Sequence, residues 1–246
     1  MTEHQPSIAL EVCVDNPQGL ADAIAGGADR IELCAALDVG GLTPSAGLLR
    51  AAAASTVPVY AMVRPRAGDF CFDEAELRLM LDEIGAIAAA GLHGVVLGAS
   101  RPDGQLDHRT LERLLRHAQR LELGSTLHRA IDLCPDLARA TAIAIDLGFE
   151  RILTSGGGLN VVQGLDGLQR CFDAAAGRVI IMPGAGISAD NIALLRTRLP
   201  LREVHASCSA PLPAAAPQLL AFGFESGHRR QTSRAKVAAL KAALRA

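Results

Sequence analysis

The sequence predicts an α/β fold, a single (β/α)8 TIM barrel, on three observations. Short apolar runs alternate with Ala- and Leu-rich helical stretches along the chain. The apolar runs are near-continuous, which is the pattern of parallel strands covered by helices. Eight such units occur without a composition shift that would mark a linker, and the 246 residues match the roughly 250 that one such barrel takes.

The elements follow in order. The first strand spans 8–14, and the helix after it, 17–25, opens on Asn16-Pro17, a cap with proline at the first helical position. The second strand, 29–34, leads to a helix over 45–54 that starts at Pro44-Ser45. Strands at 57–63, 93–98 and 123–128 alternate with helices at 74–90, 107–121 and 135–147. Strands at 150–154 and 178–182 precede helices at 161–174 and 189–199, the second beginning around Asp190-Asn191. After the eighth strand, 203–207, a Pro/Ala-rich stretch from Pro211 to Pro217 leads into a C-terminal surface helix over 233–244. The expected organisation is one domain over 1–246, with a barrel core at 8–208 and a C-terminal extension at 209–246.

Composition excludes several function classes. Half of the residues are hydrophobic and 20% charged, a soluble globular balance. A net charge of −2 gives no bulk case for nucleic acid or membrane surfaces. Base-stacking platforms are not expected of a chain with no Trp and 1 Tyr. No apolar stretch reaches the roughly 20 residues that span a bilayer, and residues 1–7 carry no secretory pattern. The expected compartment is the cytoplasm. There, Cys13, Cys34, Cys71, Cys134, Cys171 and Cys208, with no CxxC pair, are not a disulfide framework.

A barrel concentrates its chemistry at the C-terminal ends of its strands. Those ends carry Glu11 and Cys13, Glu32 and Cys34, then Met62, Arg64 and Arg66, then His128, Arg129 and Asp132, then Thr154 and Ser155, and finally His205 and Ser207. The N-terminal ends show no comparable set of acids, thiols and imidazoles. Each residue alone has a bland reading: a strand-end Cys is commonly a small buried hydrophobe, and a His commonly completes a core hydrogen bond. Their concentration on one rim favours a site. Leu10-Glu11-Val12-Cys13 and Ile31-Glu32-Leu33-Cys34 echo each other, and side chains alternate along a strand. Each Glu therefore shares a face with its Cys. Neighbouring strands lie about 4.8 Å apart, so both thiols are expected to converge at one rim.

Two glycine loops follow late strands: Thr154-Ser155-Gly156-Gly157-Gly158 and Pro183-Gly184-Ala185-Gly186. Backbone amides without side chains can approach an anion closely, and barrel enzymes bind phosphate with late loops of this kind. Tight βα turns alone would also use these glycines.

In order, these segments resemble the CutC family, the so-called copper homeostasis proteins. The resemblance rests on Ala28-Asp29-Arg30-Ile31-Glu32-Leu33-Cys34 with Gly40-Gly41-Leu42-Thr43-Pro44-Ser45, and on Arg64-Pro65-Arg66-Ala67-Gly68-Asp69-Phe70. It continues through Leu127-His128-Arg129-Ala130-Ile131-Asp132, Leu153-Thr154-Ser155-Gly156 and Met182-Pro183-Gly184-Ala185-Gly186-Ile187, and covers about residues 8 to 208. The resemblance implies a cytosolic TIM barrel, a homo-oligomer, and a role in Cu(I) binding and copper tolerance. Cys13 and Cys34 match the family cysteines proposed as Cu(I) ligands. Two positions depart from the family pattern: Phe72, where Tyr is usual, and Cys208, where a small residue is usual.

Two readings of the rim stay open. Thiolates select Cu(I) over hard cations, which makes Cys13 and Cys34 the expected metal ligands and copper the expected cargo. The remaining polar residues exceed what a metal carrier needs. They suit a TIM-barrel enzyme of lyase, aldolase or isomerase type acting on a small phosphorylated or carboxylated metabolite. In that reading Glu11, Glu32, His128 and Asp132 are the acid/base candidates. Arg64, Arg66, Ser155, Gly156, Gly184, Gly186 and His205 are the candidates for binding the anion. No Lys stands at a strand end, against a Schiff-base aldolase. Neither reading involves nucleic acid or a membrane.

Overall fold

The computed structural model describes residues 7–225, 227 and 229–245. The reading of residues 1–7 as lacking a secretory pattern falls, except for Ser7, outside the described residues.

Eight parallel strands form the barrel: β1 (Ala9–Val14), β2 (Arg30–Leu33), β3 (Val59–Met62), β4 (Gly94–Leu97), β5 (Gly124–Leu127), β6 (Arg151–Thr154), β7 (Ile180–Pro183) and β8 (Glu203–Ala206). Each of β1 to β6 pairs with the next strand in sequence, and β1 also pairs with β8. β7 lies beside β8 and closes the ring. The expected strands are all found with ends shifted by a residue or two: seven are trimmed, and β7 starts two residues later and ends one residue later than expected.

The outer helices are α1 (Pro17–Gly26), α2 (Ala46–Ala52), α3 (Glu74–Ala89), α4 (His108–Arg120), α5 (Leu137–Leu147), α6 (Leu165–Ala175) and α7 (Ile192–Arg198). Asn16 caps α1 by accepting the Gly19 N–H at 2.8 Å. Asp73 and Glu76 form a reciprocal capping box on α3. Where helices start later than the sequence implies, a side chain has taken the backbone donors. Asn160 Oδ1 accepts from Val162 and Gln163, both at 3.1 Å, and holds that segment as a turn, so α6 begins at Leu165 and not at Val161. Asp136 caps α5 by accepting the Arg139 N–H, so this helix begins at Leu137 rather than at Pro135.

Beyond β8, two short antiparallel strands, β9 (Ser209–Pro211) and β10 (Arg230–Thr232), flank α8 (Pro217–Ala221). The chain ends in α9 (Arg234–Arg245), which packs against α1 and α7 with Val237, Leu240 and Leu244 buried. It fills the eighth helix position around the barrel. Contact with α1 is close enough that a Cβ on Gly26 would lie 2.6 Å from Val237 Cβ. Among the described residues no helix is long and apolar enough to cross a membrane.

Strand alternation divides the molecule into two cores. Leu10, Val12, Val14, Ile31 and Leu33 point outward into the sheet–helix layer and are fully buried. The inward side is polar. Arg30 bonds both Glu11 and Glu203. Arg151 pairs with Glu150 at 3.2 Å and Glu203 at 3.3 Å. Tyr60 donates to Glu150 at 3.1 Å, and the guanidinium carbons of Arg30 and Arg151 lie 5.6 and 4.7 Å from its ring centre. This network fills the N-terminal end of the barrel, which the sequence reading took to lack such a set. Only glycine fits beside it: a Cβ on Gly94 would come within 2.2 Å of the Tyr60 ring.

Candidate functional site

A cavity of about 420 Å³ opens at the C-terminal ends of the strands. Cys13 (β1), Glu32 (β2), Met62 (β3) and His205 (β8) line it, as do Arg64, His128, Arg129 and Asp132 from the loops after β3 and β5. Ala185 and Gly186, both with left-handed φ (79° and 83°), close another wall.

Strand register decides which groups meet. Cys13 is level with Glu32, and Glu11 is level with both Arg30 and His205. The two Glu-x-Cys segments are therefore offset by two residues, and Cys13 faces Glu32 rather than Cys34. Among the described residues, ligand atoms of Cys13, Glu32 and His205 lie within 4.8 Å of one another, all buried. His205 Nδ1 and Glu11 Oε1 are 2.8 Å apart, and His205 Nε2 is 3.8 Å from Glu32 Oε2. Glu32 Oε1 is buried without a hydrogen-bond partner.

The protonation pattern follows from these neighbours. Burial raises the Glu11 pKa, but the Arg30 charge and the His205 hydrogen bond outweigh it and hold the carboxyl down at about 2. Burial lowers that of His205, yet Glu32, Cys13 and Glu11 together push it well above the usual imidazole range. Burial raises Glu32, opposed by His205. Cys34 contacts Glu32 Oε2 at 3.5 Å and sits in an apolar group with Tyr60, Met62 and Val96. Burial and Glu32 push its thiol well above the ordinary value.

Several expected site residues serve the loops instead. Glu11 does not line the cavity and sits below it, bonded to Arg30 and His205. Arg66 bonds Glu76 and the Cys71 carbonyl and pairs with Asp69 at 3.0 Å, which leaves it on the outer side of its loop. Asp132 accepts from Thr154 Oγ1 at 2.5 Å, Ser155 N at 3.0 Å, Gly157 N at 3.2 Å and Arg129 Nε at 2.8 Å. That carboxylate therefore holds two loops together, and Ser155 is held beneath it with no exposure. Gly156 donates its N–H to Thr154 Oγ1 at 2.9 Å, and its Cβ would lie 2.2 Å from Gly164 O. It permits close backbone packing rather than cradling an anion. A Cβ on Gly184 would strike Leu153 at 2.4 Å.

Comparison with known proteins places this geometry. The CutC family model matches residues 8–210. The chain belongs to the CutC family. A CutC protein of Rhizobium meliloti (strain 1021) is 56% identical over 237 residues, covering 96% of each chain. One of Caulobacter vibrioides (strain NA1000 / CB15N) is 50% identical over 248 residues, covering 100% of both. The crystal structure of CutC from Streptococcus agalactiae, whose name refers to copper homeostasis, superposes with a TM-score of 0.76 at 29% identity. That match covers 81% of this chain and 98% of the other.

Within this CutC chain, neither departure from the family pattern touches the cavity. Phe72 packs beneath Arg66, 5.4 Å from ring centre to guanidinium carbon. Cys208 lies in a separate groove with Ile187, Ser188 and Lys236, and burial pushes its thiol up to about 11. Sequence reasoning missed Phe70, whose ring packs 4.8 Å from the His128 ring and 4.8 Å from the Arg64 guanidinium carbon. It also missed Leu37 and Val39 at the rim. The only signal for them was position, since Phe70 ends the Arg-Pro-Arg block and Leu37 and Val39 precede Gly40-Gly41.

Proposed function

We propose that this CutC chain binds copper as Cu(I) at the cavity floor, through Cys13 and His205 with Glu32 as a third donor. One observation carries the reading: three buried ligand atoms of mixed S, N and O type converge, and a fixed carboxylate orients the imidazole among them. Glu11 holds His205 through Nδ1, which leaves Nε2 for the ion, as second-shell carboxylates do for metal-bound histidines. Sulfur and imidazole suit a soft or borderline ion better than Mg²⁺ or Ca²⁺. The unpartnered Glu32 Oε1 fits a group awaiting a cation. Copper is cargo in this reading. All six cysteines are free thiols, the state that a reducing cytoplasm preserves. Cys34 sits behind Glu32 as a protonated thiol and is a supporting group rather than a ligand.

The test is Cu(I) titration of reduced protein against a competing chelator. Cys13→Ser and His205→Gln should each weaken binding by at least about tenfold, on the order of 1.4 kcal/mol, while Cys34→Ser stays within about threefold of the parent. Parent-like affinity in the Cys13→Ser/His205→Gln double variant overturns the reading. Loss in Cys34→Ser equal to that in Cys13→Ser would instead restore the two-thiol pairing expected from sequence.

A further inference from the structure

The geometry points to a second binding site on the wall of the same cavity: Arg64 and His128 form a subsite for the carboxylate of a small monoanionic metabolite. Arg64 is a buried cation, only 5% exposed. Three of its hydrogen bonds go to carbonyl oxygens, Val39 at 2.8 Å, Gly41 at 3.1 Å and Gly68 at 2.8 Å. Among the described residues no carboxylate pairs with it. Its Nε is buried without a partner. A charge taken out of water without a counter-ion is costly, and a bound anion relieves that cost.

The second donor has the same character. His128 is 4% exposed, and its Nδ1 accepts the Ala130 N–H at 3.2 Å. Acceptance at Nδ1 places the proton of the neutral ring on Nε2, and Nε2 is also buried without a partner. Burial and the Arg64 charge lower its pKa to about 3, so the ring is a neutral donor at physiological pH. Phe70 packs against both side chains and fixes their orientation.

Charge counting selects the ligand. Arg64 is the one cation of the cavity wall without a carboxylate partner, because Arg129 is paired with Asp132 and His205 with Glu11, each at 2.8 Å, and the carboxylate of Glu32 also faces the cavity. Two donors and one charge match the two oxygens of a carboxylate, whereas a phosphate dianion would meet those acids with its extra charge. Leu37, Met62 and Leu153 line the rest of the cavity, so the carboxylate carries a short, partly apolar tail. The subsite uses no residue of the proposed copper set, and its test is run on metal-free protein, so the two readings fail separately.

The experiment titrates acetate, lactate and isovalerate into reduced, metal-free protein at constant ionic strength, by calorimetry and thermal shift, with inorganic phosphate and sulfate as parallel arms. At least one monocarboxylate should bind saturably and more tightly than phosphate or sulfate. His128→Asn keeps an acceptor for the Ala130 N–H but removes the Nε2 donor; it should fold and weaken binding at least about tenfold. Arg64→Lys should do the same, and if the loss of its carbonyl bonds unfolds it, His128→Asn decides. The proposal is overturned if no monocarboxylate binds saturably, if folded His128→Asn binds like the parent, or if phosphate binds more tightly.

Discussion

At the residue scale, the site is governed by which buried polar atoms lack partners. Glu32 Oε1, Arg64 Nε and His128 Nε2 are all buried, all unpartnered, and all belong to side chains lining one cavity. Buried polar groups are ordinarily hydrogen-bonded, so three such atoms on side chains of one cavity set this wall apart. His128 makes this accessible to measurement. In the unfolded chain it takes up a proton near its ordinary pKa of 6.5, whereas in the fold it does so only near 3. Between those values the unfolded state holds the extra proton, so His128 has no proton-linked effect well above pH 6.5 and destabilises the fold increasingly as pH falls from there toward 3. For one such group the loss is about 2 kcal/mol between pH 7.5 and 5. Urea unfolding of the parent and of His128→Asn should therefore show the parent losing about that much more stability over this range. Parallel pH dependence in the two proteins would contradict the neutral, buried assignment.

At the element scale, helix α9 shows how a chain terminus becomes part of the barrel. Gly26 ends α1, and Gly27 follows in a left-handed cap with φ of 95°. The missing side chain at Gly26 lets Val237 of α9 sit against the α1 backbone. Gly26→Ala gains roughly 0.5–1 kcal/mol of helix propensity but forces a Cβ into that contact. Overpacking costs about 1–3 kcal/mol and should win. The measurement is a double-mutant cycle with Val237→Ala, which opens the space. The pair should be less destabilised than the sum of the single changes, and simple additivity would mean the helices do not meet there.

At the whole-molecule scale, the barrel interior is a stack of charge rather than of aliphatic layers. Glu203, Arg30, Glu11, His205 and Glu32 form a continuous buried series from the N-terminal end to the cavity floor. Arg30 links two carboxylates, so removing it leaves Glu11 with only His205 and Glu203 with only Arg151 as buried partners. Arg30→Met should cost about 3–5 kcal/mol. By freeing Glu11 it should also weaken Cu(I) binding in whatever fraction still folds. A melting temperature within a degree or two of the parent would show that the network does not hold the barrel together.

Much of this was legible in the chain. Apolar runs such as 8–14 and 29–34, and caps such as Asn16-Pro17, are local signals, so the alternation of elements, the barrel and the polar rim could all be read from spacing. The family resemblance was carried by ordered blocks of residues in the same way. Tertiary structure alone decided the pairings. A parallel barrel staggers its strands, and that stagger set Cys13 beside Glu32 and His205, although the repeated Glu-x-Cys motif pointed to Cys34. Likewise Arg64 and Arg66 are two residues apart in sequence, yet one is buried at the cavity and the other engages Glu76 on the outside of its loop. Sequence determines which strand ends and loops of such a barrel carry polar side chains. Which of them keep a free donor or acceptor depends on loop and strand contacts between residues far apart in the chain, and these exist only once the ring has closed.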